Sequence, residues 1–223
     1  MSKSLIIGLG TGRCGTLSLA VVLDAQYLTS VTHEVYYKLP WHANYDALKH
    51  TLRCIYMHAG EAVGDAGFYY LPYVEKIIEL TKYVKFVCLK RDKDETIDSQ
   101  LRAGRSLWHM HVVAQNSKYF DPVACDLNNA ENRAFRASFP KYDLPLEDAW
   151  AKYYDDYYEK AAYFEKVYPG MFKIFDMNSV LNTEDGQYEM LKFVDLKSQF
   201  ILNNIRIFKE FTGDPDQFKN QIE

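Results

Sequence analysis

Apolar positions along the chain follow two rhythms. Ser4 to Leu9 (SLIIGL) and Tyr83 to Leu89 (YVKFVCL) are short, nearly continuous apolar runs, the pattern of strands buried on both faces of a parallel sheet. Leu28 to Thr32, Glu61 to Gly64 and Met171 to Phe175 are weaker strand candidates. Helical periodicity fills the gaps. Thr16 to Gln26 is apolar nearly all round, and Tyr45 to Met57 is amphipathic. Tyr69 to Leu80 sets Leu71, Val74, Ile77 and Ile78 against Glu75, Lys76 and Glu79, with Pro72 in a first turn that tolerates it. Asp92 followed three residues later by Glu95 is a capping-box pattern, and it predicts a helix through about Gln100. Leu146 to Tyr168 carries a seam of Leu146, Trp150, Tyr153, Tyr157, Ala161, Phe164 and Tyr168, stopped by Pro169-Gly170. A last helix is expected over Glu189 to Leu196, and residues 104–145 read as an insertion of helices and loops. Strands alternating with helices predict an α/β fold with a mostly parallel sheet, whose ligands bind at the carboxyl ends of the strands.

Composition narrows the function classes. At 223 residues the chain has the length of one α/β domain, expected to span 1–223, and its 48% hydrophobic and 25% charged residues are ordinary for a globular protein. A net charge of −4 argues against non-specific nucleic-acid binding, which needs a basic face. The four cysteines, Cys14, Cys54, Cys88 and Cys125, form no CxxC pair, so they read as reduced thiols rather than a zinc site or a disulfide framework. His109 and His111 are two apart, wrong for joint ligation from a helix, and no metal is expected. The N-terminal apolar run is too short for a signal peptide or a membrane span, so a cytoplasmic protein without membrane partners is expected. The 18 tyrosines read as half-buried positions of amphipathic helices before they read as an aromatic-lined site.

The candidate chemistry begins with the glycine loop Gly8-Leu9-Gly10-Thr11-Gly12-Arg13-Cys14-Gly15-Thr16. Between a strand and a helix, glycines let backbone N–H groups approach an anion at the positive end of the helix. Three phosphate ligands compete. Gly10, Gly12 and Gly15 match the dinucleotide fingerprint, with Glu34 nineteen residues beyond as the acidic partner, which would make the protein a nucleotide-binding oxidoreductase. Gly10 and Gly15 fit the start of an ATP-type P-loop, but Thr16 stands where that loop needs lysine. The third reading takes Arg13-Cys14-Gly15-Thr16 as the core, a cation and a hydroxyl around a glycine, which suits a 5′-phosphosulfate without a metal.

On these residues the chain resembles the family of sulfotransferases that use 3′-phosphoadenosine 5′-phosphosulfate (PAPS). Tyrosylprotein-type and many bacterial members share an arginine at the position of Arg13; Cys14 departs from the usual serine and Leu17 from the frequent second threonine. The resemblance also covers Arg91, seven intervening residues and Ser99, at the end of the strongest predicted strand. It implies a P-loop-like three-layer fold in which Gly12, Arg13, Cys14, Gly15, Thr16 and Leu17 hold the 5′-phosphosulfate. Arg91 and Ser99 would hold the 3′-phosphate. The donor would be PAPS and the product PAP, with the sulfuryl group going to a hydroxyl or amine of a small-molecule, carbohydrate or peptide acceptor. The RKGxxG segment of many cytosolic members is missing: the tail reads Lys209-Glu210-Phe211-Thr212-Gly213-Asp214.

In-line displacement at sulfur needs a base for the acceptor proton and a cation for the leaving phosphate. Arg13 fits the second role. Glu34, twenty-one residues past Arg13, is the first candidate base, as in tyrosylprotein-type members; His33 beside it and Asp65 are the others. Arg102 and Arg105 could extend the basic wall, and Trp108, His109 and His111 fall in the insertion. A PAP-binding protein without catalysis stays open as a further reading.

Overall fold

The computed structural model describes residues 3–36, 38–106, 130–196 and 200–202. Five strands form one sheet: β1 (Ser4–Leu9), β2 (Thr29–His33), β3 (Ala62–Ala66), β4 (Val84–Lys90) and β5 (Phe172–Asp176). Every pairing is parallel, and the order is β2-β3-β1-β4-β5. The fold is therefore an α/β fold of the P-loop-like, sulfotransferase type, as the resemblance implied. Because β3 lies between β1 and β2, the order differs from that of dinucleotide-binding folds, in which the first two strands are neighbours.

The strands lie where apolar runs predicted them, shifted by a residue or two. β1 shows why its run is continuous. Leu5, Ile7 and Leu9 enter the core on one face, Ile6 enters the core on the other, and all four are fully buried. One face is covered by α2 (Tyr45–Met57), a 3₁₀ turn (Phe68–Tyr73), α3 (Val74–Leu80) and α6 (Leu146–Val167). The other is covered by α1 (Thr16–Asp24), α7 (Met177–Asn182) and α8 (Glu184–Phe193). Two more helices, α4 (Lys93–Ser106) and α5 (Ala130–Ala137), complete the described set.

Several elements differ from expectation. The helix expected over Tyr69 to Leu80 opens as a 3₁₀ turn around Pro72 and becomes α-helical only at Val74. α4 continues past Gln100 to Ser106. Asp92 does cap it, accepting from the Glu95 amide at 3.0 Å, but the Glu95 carboxylate turns to Arg91 instead of closing a capping box. The final helix starts at Glu184, not Glu189, because Thr183 caps it by accepting from the Gly186 amide at 3.1 Å. The short α7, which the periodicity did not announce, is capped by Asp176, accepting from the Ser179 amide at 2.7 Å. Of the insertion, α5 is described; residues 107–129, with Trp108, His109, His111 and Cys125, lie outside the described residues, as does the tail from 203. Among the described residues no helix is long and apolar enough to cross a membrane.

The seam of α6 is deeply buried, not half-buried: Tyr153 and Tyr157 are 1% and 0% exposed. The hydroxyls of Tyr154, Tyr157 and Tyr158 fasten backbone at the carboxyl ends of the strands. Tyr157 accepts from the Gly10 amide at 3.0 Å and donates to the Phe68 carbonyl at 3.2 Å. Tyr158 donates to the Leu89 carbonyl at 2.7 Å and Tyr154 to the Arg91 carbonyl at 2.6 Å. Tyr157→Phe would leave the buried Gly10 amide and Phe68 carbonyl unmatched. A loss of about 1–3 kcal/mol is expected, read as a lower urea midpoint at unchanged slope. An unchanged midpoint would show that the bridge adds nothing to stability.

Candidate functional site

The register of the sheet brings the loop after β1, the end of β2 and the end of β4 to one edge. The loop needs its glycines for identifiable reasons. A side chain at Gly10 would place its Cβ 2.1 Å from Cys14 Sγ, and one at Gly15 would meet Leu181 Cδ1 at 2.6 Å, with φ at +86°. Gly15 is also the N-cap of α1. It offers no side-chain acceptor, and the first turn holds no acidic residue, so neither screens the positive helix end. That is the arrangement of an anion site. Leu17 is 42% exposed and can add only its amide. Cys14 is fully buried beneath the loop, where burial pushes its thiol up to about 11, so it stays protonated and supplies backbone alone.

The sequence-predicted anion ligands converge. Arg13, at φ +58°, projects to α4 and donates from Nε to Ser99 Oγ at 3.1 Å. Arg91 lies along α4, donating to Glu95 at 3.0 Å, and its Nη1 donates to the Arg13 carbonyl at 3.1 Å. The two sites inferred for opposite ends of one nucleotide are thus mechanically joined: the guanidinium expected at the 5′ end already holds the serine expected at the 3′ end. Arg91 is neutralised by Glu95, and Arg102 faces Asp98 at 3.6 Å. Arg13 has no carboxylate partner among the described residues. Burial, with Arg91 and Arg102 close by, lowers its pKa without removing its charge. In a chain of net charge −4, this is a local surplus of positive charge aimed at the loop.

At the end of β2, His33 Nε2 lies 3.0 Å from Thr16 Oγ1 and 3.9 Å from Glu34 Oε1. Lys38 Nζ approaches Glu34 Oε2 at 3.5 Å. Glu34 is therefore within one side chain of the helix that closes the loop. Its carboxyl is pushed up by burial, an effect that Lys38 opposes and Asp65 adds to. Burial, assisted by Lys38, pushes His33 down to about 4, so it is neutral near pH 7 and can accept or donate one hydrogen bond. Asp65, the third candidate base, is fully buried, and its oxygens are taken by Thr32 at 2.6 Å, Tyr70 at 2.8 Å and Tyr69 at 3.3 Å. It therefore stands behind the site rather than in it. Lys38 was not picked out from the sequence, although a cation four residues after Glu34 was a usable signal. Among the described residues no group of three His, Cys, Asp or Glu side chains could hold a metal.

The His33 environment sets a pH dependence. Its folded value, about 4, lies below the ordinary 6.5, so the unfolded chain binds more protons between those limits. Stability contributed by His33 is complete above pH 6.5 and is lost as pH falls towards 4. In urea titrations across this window, His33→Gln should show a shallower acid loss than the parent; equal slopes would mean that His33 is not buried as a neutral ring.

No protein-family model matches the chain, and no curated protein matches it. Among solved structures the chain is similar to a sulfotransferase from Alicyclobacillus acidocaldarius, with a TM-score of 0.54 and 14% identity over 98% of this chain and 90% of that one. At this identity the likeness is one of fold alone.

Proposed function

We propose that the protein is a PAPS-dependent sulfotransferase. The observation that carries the reading is Arg13: a solvent-accessible cation without a carboxylate partner among the described residues, beside the open N-terminus of α1 and joined to both Ser99 and Arg91. Such a place wants a ligand with more than one anionic group. In this reading the amides of Gly12 to Leu17 and the guanidinium of Arg13 hold the 5′-phosphosulfate. Arg91 and Ser99 hold the 3′-phosphate, which requires the Arg13–Ser99 hydrogen bond to be shared or exchanged when the donor enters. The strand order weighs against the dinucleotide reading of Gly10, Gly12 and Gly15, because Glu34 follows a strand that is not the neighbour of β1.

The chemistry asked of the residues is limited. The acceptor oxygen or nitrogen forms a bond to sulfur, the bond from sulfur to the bridging phosphate oxygen breaks, and PAP leaves with the electron pair. Glu34 takes the acceptor proton, and its raised pKa makes it a stronger base than an exposed carboxylate. Neutral His33 links Thr16 to the neighbourhood of that carboxylate, its Nε2 bonded to Thr16 Oγ1 and 3.9 Å from Glu34 Oε1. Arg13 and the loop amides meet the charge developing on the leaving phosphate. Helices and loops around the insertion would shape the acceptor site, for a small molecule, a carbohydrate or a peptide.

Thermal unfolding with PAP, NAD and ATP added separately tests the donor site. PAP at a hundred times its Kd should raise Tm by roughly 5–10 °C, corresponding to about 2.7 kcal/mol. The shift should be lost in Arg91→Ala and kept in Glu34→Gln, and NAD should give none. A shift with NAD alone would overturn the reading. With an active acceptor in hand, Glu34→Gln should slow turnover about 100- to 10,000-fold. PAP binding without transfer to any acceptor would leave a binding protein.

A further inference from the structure

The turn that carries Glu34 is unusual. Glu34 has φ of +51°, a region that a residue with a Cβ adopts only when its surroundings enforce it. The enforcement comes from β3. The Glu34 amide donates to the Ala66 carbonyl at 3.1 Å. The Asp65 carboxylate accepts from the Thr32 hydroxyl at 2.6 Å, on the near side of the turn, and the Val35 amide on the far side stands close enough to favour its ionised form. One carboxylate thus brackets the dipeptide His33–Glu34. The carboxylate is itself held from the opposite direction by Tyr70 at 2.8 Å and Tyr69 at 3.3 Å, both on the 3₁₀ turn and both fully buried. A fully buried carboxylate ringed by donors in this way is costly unless they are all in place. An ordinary β-strand end needs no such group.

We infer that Asp65 is a positioning residue for Glu34: it clamps the turn in its left-handed conformation and sets, through its own negative charge, the electrostatic surroundings of the Glu34 carboxyl. The inference rests on the reading of Glu34 as the working base, yet the clamp itself can be tested without turnover. Asp65 is not the only group facing Glu34. His33 adjoins it on β2, Lys38 on the loop that follows, Tyr69 on the 3₁₀ turn and Tyr153 on α6. Of these, Lys38 favours the ionised carboxylate and Asp65 opposes it.

The experiment is an NMR titration of the Glu34 carboxyl in the full-length protein, assigned with Glu34→Gln, in parent and in Asp65→Asn. Asparagine keeps shape and one acceptor but removes the charge. The Glu34 midpoint should move to lower pH, because a like charge has gone. If transfer activity is available, kcat should fall by roughly 10- to 100-fold with PAP affinity unchanged, as for a displaced catalytic group, and the acid limb of the pH–rate profile should move to lower pH with the NMR midpoint. An unmoved Glu34 midpoint in folded Asp65→Asn would overturn the inference, even if the variant were less stable. Should the variant fail to fold, the parent alone decides: the Val35 amide shift should titrate together with the Asp65 carboxyl, and a Val35 amide indifferent to Asp65 would remove the clamp. Neither measurement uses PAPS or PAP, so absence of PAP binding would sink the sulfotransferase reading and leave this result standing.

Discussion

The Tyr157 hydroxyl is the interaction on which the site most depends. It takes the Gly10 amide from the loop after β1 and gives its proton to the Phe68 carbonyl after β3, so one buried group ties α6 to the carboxyl ends of two neighbouring strands. Gly10 cannot find a partner in the sheet, since the chain leaves β1 there, and an unpaired buried amide would be expensive. With Tyr157 in place, the backbone before Gly12 is fixed from behind. Tyr158 and Tyr154 repeat the device at Leu89 and Arg91, after β1's other neighbour, β4. The anion cradle and the Arg91 backbone are thus held by consecutive turns of one helix.

This explains why the fold was legible in the sequence and the supports of the site were not. The strands of a parallel sheet covered on both faces have to be nearly continuous apolar runs, and SLIIGL and YVKFVCL are that. The glycine loop was legible for a similar reason: Gly10 and Gly15 sit where any Cβ would strike Cys14 or Leu181. Periodicity, however, counts a tyrosine as apolar and says nothing about where its hydroxyl goes. Tyr153 and Tyr157 marked the seam of α6, but nothing marked the hydrogen bonds that Tyr154, Tyr157 and Tyr158 make at the ends of β1 and β4, which join residues up to 147 apart. In the same way Asp65 read as a third candidate base at a strand end, with nothing to mark its buried partners. Its surroundings come from β2 and the 3₁₀ turn, and only the pairing of Thr32 with Asp65 across the sheet brings them together. The misplaced start of α8 and the missed α7 have a simpler cause. Both begin at polar caps, Thr183 and Asp176, in a stretch too short for an apolar stripe to mark.

Two residues with side chains adopt left-handed backbone at the site, Arg13 and Glu34, and both are the residues to which chemistry was assigned from sequence. The coincidence has a physical basis. A left-handed residue turns its side chain across the local run of the chain, here from the loop to Ser99 on α4 and from the end of β2 to Lys38. Each is held by bonds outside itself. Arg91 grips the Arg13 carbonyl, and Ala66 takes the Glu34 amide. The strain is offset by neighbours that have little other reason to be where they are.

Charge completes the picture. Half-buried Glu34, just past the end of β2, and fully buried Asp65 on β3 are neighbouring carboxyls, and Lys38 supplies a cation against Glu34. Across the loop, Arg13, Arg91 and Arg102 crowd together, and among the described residues Glu95 and Asp98 are the carboxylates paired with them. Like charges gathered on each side of a narrow place are unfavourable in the empty protein. They become favourable when an anion settles among the arginines and a proton among the carboxyls, and a reaction that brings in an anionic donor and releases an acceptor proton provides both.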